Sequence, residues 1–132
     1  MKVVYPVVIT QYDDGMHVSI PDCETSTCGT DLADALVMAK DIISLSCMYR
    51  QDDGEELPTP TEISQIPHEE GDIVELVECD LDEYRQMLAN MQVNKRVKIP
   101  RWLDKAAKNA NINFSQFLQQ ALKAELGVEK PI

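Results

Sequence analysis

The chain opens on apolar, β-branched residues. "KVVYPVVITQ" predicts a strand, and Pro6 within it points to an edge position or a bulge. "DDG" at 13–15 is a hairpin signal, and the alternating "MHVSI" predicts the second strand. "PDCETSTCG" is turn-rich, with room for a brief third strand near 25–28. Asp31 then reads as a helix N-cap, with Asp34 on the positive end of the helix. Leu32, Ala35, Leu36, Ala39, Ile42 and Ile43 recur at helical spacing, which predicts a helix of about four turns. "DDGEELPTPTEIS" is a loop, since Pro58 and Pro60 break both regular structures. "DIVELVE" at 72–78 predicts a strand, and "DLDEYRQMLANM" a short helix.

The pattern changes after residue 92. In "NKRVKIP", Asn94, Arg96 and Lys98 fall on one face of an extended strand, and Val97 and Ile99 on the other. Lys95 lies on the apolar side, at the start of the run. Pro100 ends the strand and suits the first position of a helix. Trp102, Leu103, Ala106, Ala107 and Ala110 mark that helix, and Asn111 suits a left-handed position after it. Ser115 is expected to cap a second helix carrying Phe117, Leu118, Ala121, Leu122 and Leu126, with Phe114 packing back as a staple and Gly127 closing it.

Charge divides at the same place. Residues 1–92 carry 4 Lys/Arg against 20 Asp/Glu, a net of −16, and residues 93–132 carry 8 against 3, a net of +5. An acidic part and a basic part suit different partners. No apolar run approaches the ~20 residues of a membrane helix. The first residues are too short and broken for a secretory signal, so a cytoplasmic location without membrane association is expected.

The 132 residues contain four cysteines: Cys23, Cys28, Cys47 and Cys79. A reduced compartment keeps them as thiols. Cys23 and Cys28 have no second close pair, and His17 and His68 are isolated, so no metal site and no cofactor are expected. Asp13, Asp14, Asp22 and Asp31 fall in a turn, a loop and a helix cap. Carboxylates converging on two metal ions are not visible, and no catalytic residue is expected.

The proline-bearing first strand, "SIPD", "CGTDLADAL", "DGEELPTP" and "DLDEY" together resemble the HicB family of bacterial type II antitoxins. The resemblance covers almost the full chain, and "DGEELPTP" is its most specific element. It implies an α+β chain whose β-β-β-α-β part, residues 1–80, has a partial RNase H-like fold and neutralises a HicA-type, RNA-cleaving toxin. The chain departs from the family after Pro21–Asp22, where "CETST" replaces Leu-Pro-Gly-Cys, and a reshaped loop over 22–28 is expected.

The strand-helix-helix order over 93–127, with Pro100 and "NINFSQFL", resembles the ribbon-helix-helix family of DNA-binding domains. That resemblance implies two chains pairing their strands into a ribbon that enters the major groove. Asn94, Arg96 and Lys98 would then face the bases, Lys95 would join them in DNA binding from the frayed start of the strand, and Ser115 would begin the helix whose amides hold a phosphate. Val97, Ile99, Leu103, Phe117, Leu118 and Leu122 would form the dimer core. Residues 81–92 are expected to serve as a short helix and hinge, and 128–132 as a tail.

The function implied is an antitoxin that also binds operator DNA and represses its own operon as a homodimer, with a tetramer left open. A dimeric repressor with a ligand-sensing N-terminal domain is the alternative. An active nuclease would require metal-dependent cleavage.

Overall fold

The computed structural model describes residues 1–131. The chain forms two compact units, Met1–Leu88 and Ala89–Ile132. The tail expected over 128–132 thus falls within the described residues except for Ile132.

The first unit is a four-stranded antiparallel sheet with one long helix on it. β1 (Lys2–Tyr12) and β2 (Gly15–Ile20) form the hairpin, turning at Asp13–Asp14 with Tyr12 opposite Gly15. A 3-10 turn at Pro21–Cys23 leads to β3 (Thr25–Gly29). Helix α1 (Leu32–Asp52) follows, then β4 (Ile73–Asp80) and α2 (Leu81–Asn90). The strand order is β3-β2-β1-β4. The β-β-β-α-β order expected from the hydrophobic pattern is the one observed.

Alternation decides which side chains enter the core. Val3, Tyr5, Val7 and Ile9 of β1 point to one face, where they join Val18 and Ile20 of β2 and Val77 and Cys79 of β4. α1 closes this face with Ala35, Ala39, Ile43 and Cys47, all fully buried. Burying a Val or Ile side chain stabilises the fold by about 1.5–3 kcal/mol. Val8 points to the opposite face and is also buried, at 8% exposure, and Thr10 on that face donates its hydroxyl to Asp72 Oδ1 at 2.9 Å.

Three expectations need correction here. Pro6 is neither in an edge strand nor at a bulge: β1 runs between β2 and β4, and Pro6 pairs with Leu76. The proline is tolerated because β2 begins pairing only at Val8, so Pro6 has no ladder partner on that side. Helix α1 has 21 residues, nearer six turns than four. Its buried stripe continues through Ser44 and Cys47, small side chains that the apolar count passed over, and Ser44 donates its hydroxyl to the Lys40 carbonyl at 2.7 Å. The third strand extends one residue further, to Gly29. The expected cap is present: Asp31 Oδ1 accepts from the Asp34 backbone N–H at 2.8 Å.

The second unit contains α3 (Arg101–Asn109) and α4 (Phe114–Leu126). Asn111 holds a left-handed conformation with φ 56°, and Gly127 closes α4 with φ 70°, both as the pattern predicts. Residues 91–100 form neither helix nor strand, whereas a strand was expected over 94–99. A strand is defined by its ladder, and the single chain gives this segment nothing to pair with. The cap of α4 is also corrected. Asn113, not Ser115, is the N-cap, with its side chain accepting from the Gln116 N–H at 3.0 Å. Ser115 is the second helical residue, and Phe114 is the first rather than a staple before the cap. Asparagine caps as well as serine does, and "NINFS" contains both.

Candidate functional site

The second unit gathers the candidate nucleic-acid residues. Asn94, Lys95, Arg96, Lys98 and Ser115 are all exposed. A cavity of about 690 Å³ brings some of them together: Asn94 and Lys95 line it from one side, Ser115, Leu118 and Leu122 from α4. Arg96 and Lys98 do not line it. The six residues expected in a dimer core are exposed in the single chain, from Leu118 at 38% to Val97 at 64%. Among the described residues of this unit none is buried. Two short helices with no buried residue bury too little to form a core of their own, and their apolar side chains lie in solvent in the single chain. α3 is nevertheless well built locally, with a Lys108–Asp104 ion pair at 3.1 Å between successive turns.

The acids of the first unit do not converge. Asp13 and Asp14 sit in the hairpin turn, and Asp31 caps α1. Asp22 has a partner that the spacing did not reveal. Its two carboxylate oxygens accept from the hydroxyl and the backbone N–H of Thr61. Tyr5, from the sheet, donates its hydroxyl to the Pro58 carbonyl at 2.7 Å. The proline-rich loop is therefore tied down at two points, Pro58 and Thr61. The only hint of this in the chain is that both prolines sit beside threonines that can accept or donate. The loop over 22–28 is shaped by the turn at Pro21–Cys23 and by Glu24, whose φ of 54° is left-handed.

Cys23, Cys47 and Cys79 are buried thiols and Cys28 is an exposed one. A hydrogen bond from Cys23 favours ionisation of Cys47 and holds its pKa below the usual thiol value, while the same contact and burial push Cys23 up. Burial followed by the nearby cysteines raises the Tyr5 phenol. Among the described residues no three His, Cys, Asp or Glu side chains come together as a metal site would require. No described helix is long and apolar enough to cross a membrane.

Comparison with known proteins places this architecture. A toxin–antitoxin complex from Streptococcus pneumoniae matches with a TM-score of 0.59 at 24% identity, over 95% of this chain and 99% of that one. The antitoxin HicB of Burkholderia pseudomallei matches with a TM-score of 0.54 at 22% identity, over 91% and 96% of the two chains. These are likenesses of fold: mixed α and β, with a four-stranded antiparallel sheet and four α-helices. An uncharacterized 14.9 kDa protein of Haemophilus phage HP1, from the rep-hol intergenic region, is 35% identical over 82 residues. That match spans 59% of this chain and 62% of the phage protein. The model of the HicB-like antitoxins of bacterial toxin–antitoxin systems matches residues 5–122, and the chain belongs to that family.

Proposed function

We propose that the acidic first unit, with a partial RNase H-like fold, binds and neutralises a HicA-type, mRNA-cleaving toxin. The basic second unit dimerises as a ribbon-helix-helix and binds operator DNA, which makes the antitoxin the repressor of its own operon. The observation that carries this reading is the second unit itself. It has a net charge of +5 over residues 93–132 and no buried residue among those described. Pairing residues 94–99 with the same segment of a second copy would satisfy the backbone groups that the single chain leaves without a ladder. It would also cover Val97 and Ile99 and turn Asn94, Arg96 and Lys98 outward. Ser115 keeps a place in this reading as a first-turn residue of α4, near the amides that would face a phosphate.

The opposite charges of the two parts support the division. A net of −16 over residues 1–92 repels DNA and attracts a cationic protein, and complementary charge speeds such encounters. Residues 91–92, which follow the end of α2, would act as the hinge between the two parts.

The test is co-expression of the full chain with the toxin encoded beside it. Growth should recover and the two proteins should co-purify. The purified antitoxin should be at least a dimer by light scattering, and should bind DNA from its own promoter with an affinity that falls steeply as salt rises. Failure to rescue growth overturns the toxin half. A monomer that ignores its own promoter at low salt overturns the DNA half.

A further inference from the structure

α2 does not lie flush on α1. It is fastened near its middle, where Arg85 Nη2 donates to Asp52 Oδ1 at 2.9 Å and to the Met48 carbonyl at 3.3 Å. The adjacent Tyr84 donates its hydroxyl to Asp41 Oδ1 at 3.3 Å. Beside that tie a groove of about 300 Å³ opens between the two helices. Its lips are apolar and lie in solvent: Val37 on α1 is 65% exposed and Met87 on α2 is 49% exposed. Its rim is acidic, with Asp41, Asp80 and Glu83 against the single cation Lys40.

We infer that this groove is the seat of the toxin, and that it takes a bulky apolar side chain flanked by lysine or arginine. This rests on the toxin-binding reading above and assigns it a place. The volume is at the lower end of the roughly 300–1,000 Å³ typical of small-molecule sites. The groove is open, and the Tyr84 hydroxyl already has its partner in Asp41. It therefore suits a protruding side chain better than an enclosed ligand. Apolar anchors in such seats supply most of the affinity, while rim charges select the partner and speed its approach. An acidic rim on a unit as acidic as this one favours a cationic protein. It disfavours the first unit of a second copy, which would bring the same negative charge to the contact.

The test uses the full-length chain and the toxin that co-purifies with it, with affinity measured by calorimetry. Val37→Lys and Met87→Lys place a charge on solvent-exposed lips, and Glu83→Lys reverses the rim. Ser26→Lys, on exposed β3, is the control. Thermal melting followed by circular dichroism establishes that each variant is folded. Val37→Lys and Met87→Lys should each weaken toxin binding at least tenfold. Glu83→Lys should weaken it more at low salt than at high salt, Ser26→Lys should match the wild type, and promoter binding should be unchanged throughout. Folded Val37→Lys and Met87→Lys variants that bind toxin within twofold of wild type overturn the groove and leave the toxin reading intact. A loss of oligomer size with toxin affinity unchanged would give the groove to a second copy and also overturn it. No toxin binding by the wild-type chain would overturn both readings.

Discussion

Asp22 holds Thr61 with both carboxylate oxygens. Oδ1 accepts from the Thr61 hydroxyl at 2.6 Å and Oδ2 from its backbone N–H at 2.9 Å, across 39 residues of chain. A carboxylate with two donors is a stronger tie than a neutral pair, because hydrogen bonds to charged groups contribute about 1.5–3 kcal/mol. Asp22→Ala should lower the urea midpoint and expose the Thr61 amide to hydrogen exchange. In a double-mutant cycle with Thr61→Val, the coupling should be about 1–2 kcal/mol, since the pair is only half-buried. A coupling near zero would mean that the loop is held by Tyr5 and Pro58 alone.

Gly29 ends β3 where the first turn of α1 crosses close above it. A Cβ at this position would lie 2.5 Å from the Ala35 nitrogen and 2.6 Å from its Cα, both of them backbone atoms. The helix cannot yield as a side-chain tip could, because Ala35 is fully buried against the sheet. Gly29→Ala should therefore cost about 1–3 kcal/mol, the usual range for overpacking, with an unchanged denaturant slope. An unaltered midpoint would show that strand and helix can part without loss.

In the proposed ribbon, Arg96 would serve DNA recognition and Ile99 dimerisation. Arginine donates twice to a guanine edge, a contact worth about 1–3 kcal/mol against the wrong base. Arg96→Ala should weaken promoter binding by that amount and relax sequence preference while leaving the dimer intact. Ile99→Asp would bury an unpaired charge in the shared core, a cost that pairing cannot bear. It should give a monomer by light scattering that no longer binds DNA, yet still rescues growth from the toxin. A dimeric Ile99→Asp protein would mean that the two faces of the segment are reversed.

Acid should act on the first unit through Asp72 and Asp80. The backbone N–H of Glu69, then the Thr10 hydroxyl, hold the Asp72 carboxyl below its usual range, and the backbone N–H of Glu83 does the same for Asp80 at the start of α2. A depressed folded pKa stabilises above the unfolded value of about 3.9 and ceases to as pH falls through the folded value. Urea midpoints should thus hold down to about pH 4 and fall below it. Asp72→Asn with Asp80→Asn, which keep an acceptor at each site, should flatten the acid fall. An equally steep fall in the double variant would place its origin elsewhere.

Local rules carried much of this fold. The alternation in "KVVYPVVITQ" and "MHVSI", the cap at Asp31, the left-handed Asn111 and the closing Gly127 were legible because each depends on residues within one turn or one strand. Charge was legible too, since it needs no structure to be counted, and with it the separation of an acidic from a basic part. Other features depended on residues distant in sequence. Pro6 sits inside the sheet because β2 starts pairing two residues later, which no local pattern encodes. Small residues carry the buried stripe of α1 past Ile43, and only contact with the sheet shows that Ser44 and Cys47 belong to it. Competition between two good caps was settled for Asn113 over Ser115 by the geometry of the turn before α4. The Asp22–Thr61 clamp and the groove between α1 and α2 join side chains about 40 residues apart, and only the closed sheet brings them together. Composition and periodicity describe what each segment is suited to form. Which segments meet is decided by burial, and for residues 94–99 a single chain does not supply that partner.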